Sequence, residues 1–144
     1  VQARVDELIK LFEIRFDLKR YPYELSGGQM QTVCIMRSLA TEPEVLFLDE
    51  PFSALDFEMT LFIRAKLQEA QIATSTTMVI VSHDLEDAVF LADHILLLTR
   101  RPTRIAEIVP FDLPRPRQPE VVAHPEFVRV KAQTLEVFRR EMAA

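Results

Sequence analysis

Three short stretches hold the residue types that phosphate chemistry needs. Leu25-Ser26-Gly27-Gly28-Gln29 sets a serine before two adjacent glycines. Serine is a favoured helix N-cap, and a glutamine three residues later completes a capping box. Glycines in the first turn leave backbone N–H groups uncovered at the positive end of the helix, which suits an anion such as a phosphate. A capping box alone is more often a plain helix start. The glycine pair argues against that here, because glycine costs about 1 kcal/mol in a helix relative to alanine. Asp49-Glu50 follows the apolar run Val45-Leu46-Phe47-Leu48. A carboxylate at a strand end can hold magnesium directly or through water, and a second one aimed elsewhere can polarise a water as general base. Adjacent positions on a strand point to opposite faces, so the two would divide these tasks. Taken alone, such a pair is more commonly a solvated turn. His83 ends the next β-branched run, Thr77 to Val81. A lone histidine is structural more often than catalytic, but at that place an imidazole could reach a terminal phosphate and sense it.

These residues need elements to position them. Apolar spacing predicts a helix over 1–14, a basic and aromatic connector over 15–25, and a second helix from Ser26 to about Ala40, stopped by Glu42-Pro43. Residues 45–48 form a strand read as buried on both faces. A helix from Asp56 to about Gln71, a strand over 77–81 and a short helix over 85–92 follow. Strands over 95–98 and 105–109 come next, then an irregular Pro-rich segment over 110–125 and an amphipathic helix over 126–142. That helix carries Phe127, Val130, Leu135 and Phe138 on its apolar side. Alternating strands and helices imply a parallel sheet, in which ligands gather at the carboxyl ends of strands. Asp49-Glu50 and His83 both stand at such ends.

Order and spacing join the motifs. LSGGQ, then VLFLDEPFSALD, then VIVSHD resembles the second half of an ABC-type ATPase over about residues 1–110. Leu25–Gln29 matches the family signature, Val45–Glu50 the Walker B strand with its catalytic glutamate, Ser53-Ala54-Leu55-Asp56 the D-loop, and His83 the switch histidine. The resemblance implies an α/β fold: a partial P-loop NTPase-like domain, mainly parallel sheet with flanking helices. Residues 1–43 would end the helical subdomain and carry the signature helix. Residues 44–113 would form the core from Walker B to the switch histidine, and 114–144 a Pro-rich segment and terminal helix. The family implies ATP and Mg2+, with Asp49 serving the metal and Glu50 and His83 catalysing hydrolysis. Ser26, Gly27, Gly28 and Gln29 would contact a nucleotide held by a second ATP-binding subunit, in a homo- or heterodimer. An integral membrane permease, and indirectly a solute-binding protein, complete the partners, placing the chain peripherally on the cytoplasmic side of the inner membrane. Pro51–Asp56, Leu98–Pro102 and Leu113–Arg117 are similar to the nitrate, sulfonate and taurine importer branch. The family usually has Arg where Thr32 stands and Ala where Met36 stands.

Composition agrees and adds one constraint. Of 144 residues, 49% are hydrophobic and 27% charged, ordinary for a globular domain. Net charge is −5, which gives no support to a nucleic-acid partner. No apolar run nears the roughly 18 residues of a membrane-spanning helix. Cys34 is the only cysteine, so no internal disulfide can form and a reducing compartment fits. The chain has only 2 glycines, and they are neighbours. A phosphate loop GxxxxGK[ST] needs two glycines five residues apart, so none lies in this sequence. The opening at Val1 within a helical pattern reads as a fragment or trimmed product. A non-catalytic truncated or regulatory module that keeps the fold without turnover is therefore the alternative. A chromosome or repair ATPase half would bring long heptad repeats, which are not present. His94 and His124 read as surface or packing residues. The arginines over 100–117 read as solvated, with anionic lipid head groups as their other option.

Overall fold

The structure, a computed structural model, describes residues 2–53 and 55–143. The chain divides into two compact units, Val1–Val81 and Ser82–Ala144.

In the first unit, α1 (Gln2–Leu11) ends three residues earlier than its apolar pattern suggests. Glu13 takes φ 49, its N–H bonds Lys10 O, and Ile14 N–H bonds Ile9 O. That is a Schellman stop, with a glutamate at the left-handed position usually given to glycine. A single 3-10 turn, η1 (Pro22–Glu24), leads into α2 (Gly27–Leu39). Strands β1 (Val45–Asp49) and β2 (Thr77–Val81) pair in parallel, Val45 opposite Thr77 through Asp49 opposite Val81. The crossover between them is α3 (Phe57–Thr74), which runs past Gln71 to a left-handed stop at Ser75. A crossover of that length is what parallel pairing requires. Leu8, Phe12, Ile35, Leu39, Leu46, Leu48, Ile63 and Leu67 are buried. The expectation that β1 is buried on both faces is overturned. Leu46 and Leu48 are covered, but Val45 is 47% and Phe47 73% exposed, as are the β2 side chains Val79 and Val81 on the same face. The two-stranded pair is layered on one side only.

In the second unit, α4 (Leu85–Leu91) precedes an antiparallel pair, β3 (His94–Leu98) and β4 (Ile105–Pro110). The parallel arrangement thus applies to β1 and β2, while the short connection through Pro102 permits only a hairpin. The segment expected to be irregular contains a 3-10 turn, η2 (Pro119–Ala123). Helix α5 (Pro125–Ala143) packs on α4, β3 and β4. Its buried stripe is Phe127, Val130, Thr134 and Val137, at spacings of three and four. Leu135 is only half-buried and Phe138 is exposed, because they fall at the margin of that stripe. Phe111 and Phe127 meet edge to face at 6.0 Å within this core.

Candidate functional site

The N-terminus of α2 is built as its residues dictate. Ser26 is extended (φ −67, ψ 163), its hydroxyl oxygen accepts from Gln29 N–H at 3.3 Å, and Gln29 Oε1 accepts from Ser26 N–H at 3.0 Å. Met30 N–H bonds Ser26 O at 2.9 Å, the first intrahelical bond. The N–H groups of Gly27 and Gly28 precede that bond and point off the helix end. The Ser26 hydroxyl accepts from Gln29, so its own proton is available to donate outward. Serine hydroxyl, two glycine N–H groups and the helix dipole form a donor set that fits phosphate oxygens.

Gly28 serves packing as well. A Cβ there would lie 3.3 Å from Met59 Cγ and 3.6 Å from Leu55 Cδ2. The glycine lets the signature helix approach the start of α3 closely. The structure therefore brings together the signature and the D-loop match. Asp56 caps α3 by accepting from Met59 N–H at 2.8 Å. Ser53 turns the chain, with both its N–H and its hydroxyl on Glu50 O. Ala54 lies outside the described residues.

Asp49 ends β1 and is exposed. Glu50 is not on the strand, as the alternation argument had it. Its N–H still bonds Val81 O at 2.9 Å, but its φ of 47 lies in the left-handed region. A non-glycine residue there is uncommon, and such strain gathers at functional positions. At Glu50 the left-handed backbone, rather than the pleat, sets the direction of the side chain. Asp49 is a single carboxylate of the kind magnesium uses together with water and substrate phosphates. Among the described residues no group of three or more His, Cys, Asp or Glu forms a protein metal cage.

His83 stands in the second unit, exposed in the turn before α4. Ser82 Oγ accepts from Asp84 N–H at 3.0 Å, and Asp84 caps α4 by accepting from Glu86 N–H at 2.7 Å. His94 begins β3, His124 Nδ1 accepts from Glu126 N–H at 3.2 Å near the start of α5, and Cys34 is half-buried within α2. Arg117 corrects the sequence reading. It is 3% exposed rather than solvated, with its guanidinium over the Phe111 ring at 4.5 Å. Burial, then the neighbouring Arg115 charge, pulls that guanidinium down to about 10. Alternating proline and arginine over 114–117 was the available signal, but composition alone reads such a run as surface.

Beside the signature, an open cavity of about 420 Å3 lies between the end of α1, α2 and α3. Thr32 lines it with Phe12, Met59, Phe62 and the carboxylate-bearing Glu13 and Asp56.

A family model described as ABC transporter matches residues 1–53. The aliphatic sulfonates import ATP-binding protein SsuB of Bacillus licheniformis is 41% identical over 138 residues, 96% of this chain and 53% of that protein. The nitrate import ATP-binding protein NrtC of Synechococcus elongatus is 34% identical over 97% of this chain and 22% of its own length. Among solved structures, a dimeric bacterial ABC transporter cassette aligns with TM-score 0.57 at 32% identity, covering 66% of this chain and 41% of that one. A dimeric cassette in a post-hydrolysis state with ADP and Pi aligns at 0.64 and 27% identity, covering 78% and 47%. The chain spans about half the length of the sulfonate-import relatives it matches. With the signature, Walker B, D-loop and switch-histidine matches in family order on an α/β frame shared with solved cassettes, the chain belongs to the ABC transporter family of ATP-binding proteins.

Proposed function

We propose that this chain is the C-terminal part of the ATP-binding subunit of an importer for a small anion such as a sulfonate, nitrate or taurine. The observation that carries the reading is the α2 N-terminus, capped by Ser26 and Gln29, where Gly28 lies close to Leu55 and Met59 at the D-loop match; such a helix start suits a phosphate. The import names of the relatives support the substrate class. On this reading residues 1–113 belong to the nucleotide-binding domain and 114–144 are an appended segment. Ser26 to Gln29 contact the triphosphate held by a second ATP-binding subunit. Asp49 holds the magnesium, which when bound neutralises phosphate charge. Glu50 takes a proton from the water attacking the γ-phosphate, and His83 donates to or senses that phosphate. Ser53 to Asp56 carry the state of one site toward the other. A membrane permease, served by a solute-binding protein, couples the cycle to uptake, with the subunit on the cytoplasmic face. No helix among the described residues is long and apolar enough to cross a membrane.

The hydrolytic half of the reading is tested in the chain fused to the phosphate-loop half of a relative. Glu50→Gln keeps shape and hydrogen bonding but removes the base, so turnover falls about 10² to 10⁴-fold while ATP binding persists. Asp49→Asn instead weakens binding only when magnesium is present. Near-normal turnover in Glu50→Gln moves the base elsewhere and sinks the assignment.

A further inference from the structure

Helix α4 has only seven residues, about two turns, and a helix of that length does not persist on propensity. Its last carbonyls are the groups a helix leaves unbonded. Two arginines from the Pro-flanked segment reach all of them. Arg117 Nη1 donates to Val89 O at 3.4 Å, Phe90 O at 3.1 Å and Ala92 O at 2.7 Å. Arg115 Nη2 donates to Leu91 O. The same guanidinium of Arg117 bonds Asp93 Oδ1 at 3.2 Å, Phe111 O at 3.3 Å and Leu113 O at 3.1 Å, tying α4 to the residues after β4. At its other end α4 begins with the Asp84 cap, directly after His83, and Lys131 of α5 pairs with Glu86 in its first turn at 2.8 Å. A buried charge held by so many acceptors is an expensive way merely to fill space. What it fixes is a short rod with His83 at the tip.

We infer that Arg117, assisted by Arg115, is a positioning residue for His83: it clamps the C-terminal carbonyls of α4 and so sets where the imidazole sits during phosphate chemistry. The inference rests on the proposed role of His83. Lysine is not an adequate substitute, since one ammonium offers three donors where the guanidinium fork offers five.

The test uses the 144-residue chain for structure and its fusion to a phosphate-loop half for turnover. In Arg117→Lys, amide exchange across Leu85–Leu91 accelerates and the His83 ring resonances shift. Turnover falls on the order of 10- to 10²-fold, with the KM for ATP unchanged. His83→Ala lowers turnover, and the double variant is no worse than His83→Ala alone, because both changes remove one function. Val130→Ala, a buried α5 change with a comparable loss of melting temperature, leaves turnover intact. If Arg117→Lys does not fold, Arg115→Gln, which loses the bonds to Leu91 O and the Asp93 carboxylate, shows the same pattern at smaller size. Normal turnover in the arginine variants beside an impaired His83→Ala overturns the positioning role and leaves the His83 assignment standing. Additive losses in the double variant overturn it too. Normal turnover in His83→Ala removes the functional reading of the histidine, and this inference with it.

Discussion

At the scale of single residues, Thr32 is where this chain departs most informatively from its family resemblance. The threonine is buried, and its hydroxyl donates to Gly28 O at 2.8 Å within the helix. Around it lies the 420 Å3 cavity, with Glu13, Asp56 and Glu58 among the lining residues. An arginine at this position has a long apolar stem for Phe12 and Phe62 and a guanidinium for the carboxylates. Thr32→Arg is therefore expected to stabilise the chain by about 0.5–2 kcal/mol, the usual yield of filling a cavity. A thermal melt checks it, and an unchanged or lowered midpoint would show that the cavity is not the arginine's seat. Glu50 makes a different point. Its type and place were legible in the sequence, but its left-handed backbone was not, because no local pattern of residue types demands φ 47 at a glutamate. The turn held by Ser53 and the ladder bond to Val81 impose it.

Elements came through in proportion to how local their causes are. The α2 start, the beginning of α3 at Asp56 and the β2 limits follow from capping residues and β-branched runs, and sequence reading found them. The stop at Glu13 was missed because its cause is a bond pattern rather than a glycine. Lys66 of α3 reinforces that stop, its ammonium 2.8 Å from Glu13 Oε1. The hydrogen bond from Lys66, then its charge, holds the Glu13 carboxyl below its ordinary range. A depressed carboxyl contributes stability that is complete above its unfolded value and is lost as pH falls through the lower folded one. The end of α1 should therefore loosen from α3 on acidification through that window, modestly because Glu13 is half-exposed. Lys66→Met should abolish the dependence. Amide exchange at Phe12 to Ile14 against pH measures it, and an identical profile in Lys66→Met would refute the pairing.

The β1–β2 pair raises the opposite problem, an element whose cause lies partly beyond it. Parallel sheets are normally covered on both faces. Here Val45, Phe47, Val79 and Val81 form an apolar patch on the open face. Sequence reading assigned Val45 and Phe47 to an interior, and the type of all four residues suits one. This chain alone should therefore bind a hydrophobic dye under native conditions, and Phe47→Ser should reduce the signal without loss of helical circular dichroism. Dye emission at the level of a well-covered protein would show that the face is closed in solution.

For the whole molecule, the fold class and the order of functional motifs were legible because four short motifs occur together. The burial of Arg117 was not, because it depends on carbonyls more than twenty residues away in sequence, at Val89 to Ala92. No phosphate loop exists among the 144 residues, which bounds what the chain does by itself. A helix N-terminus contributes at most about 2 kcal/mol to holding an anion. Millimolar affinity already needs about 4 kcal/mol. The isolated chain should then bind ATP more weakly than millimolar, and a micromolar dissociation constant by calorimetry would contradict the account.

The central claim is that Ser26 to Gln29 act on a nucleotide held elsewhere. It is tested most directly by ATP hydrolysis in a mixture. The chain, shown to be folded by circular dichroism, is added to a full-length relative whose own signature serine has been replaced. The account predicts that turnover returns with this chain and fails to return with its Ser26→Arg variant, where bulk and charge occupy the phosphate seat. No rescue by the folded chain, or equal rescue by Ser26→Arg, would contradict it.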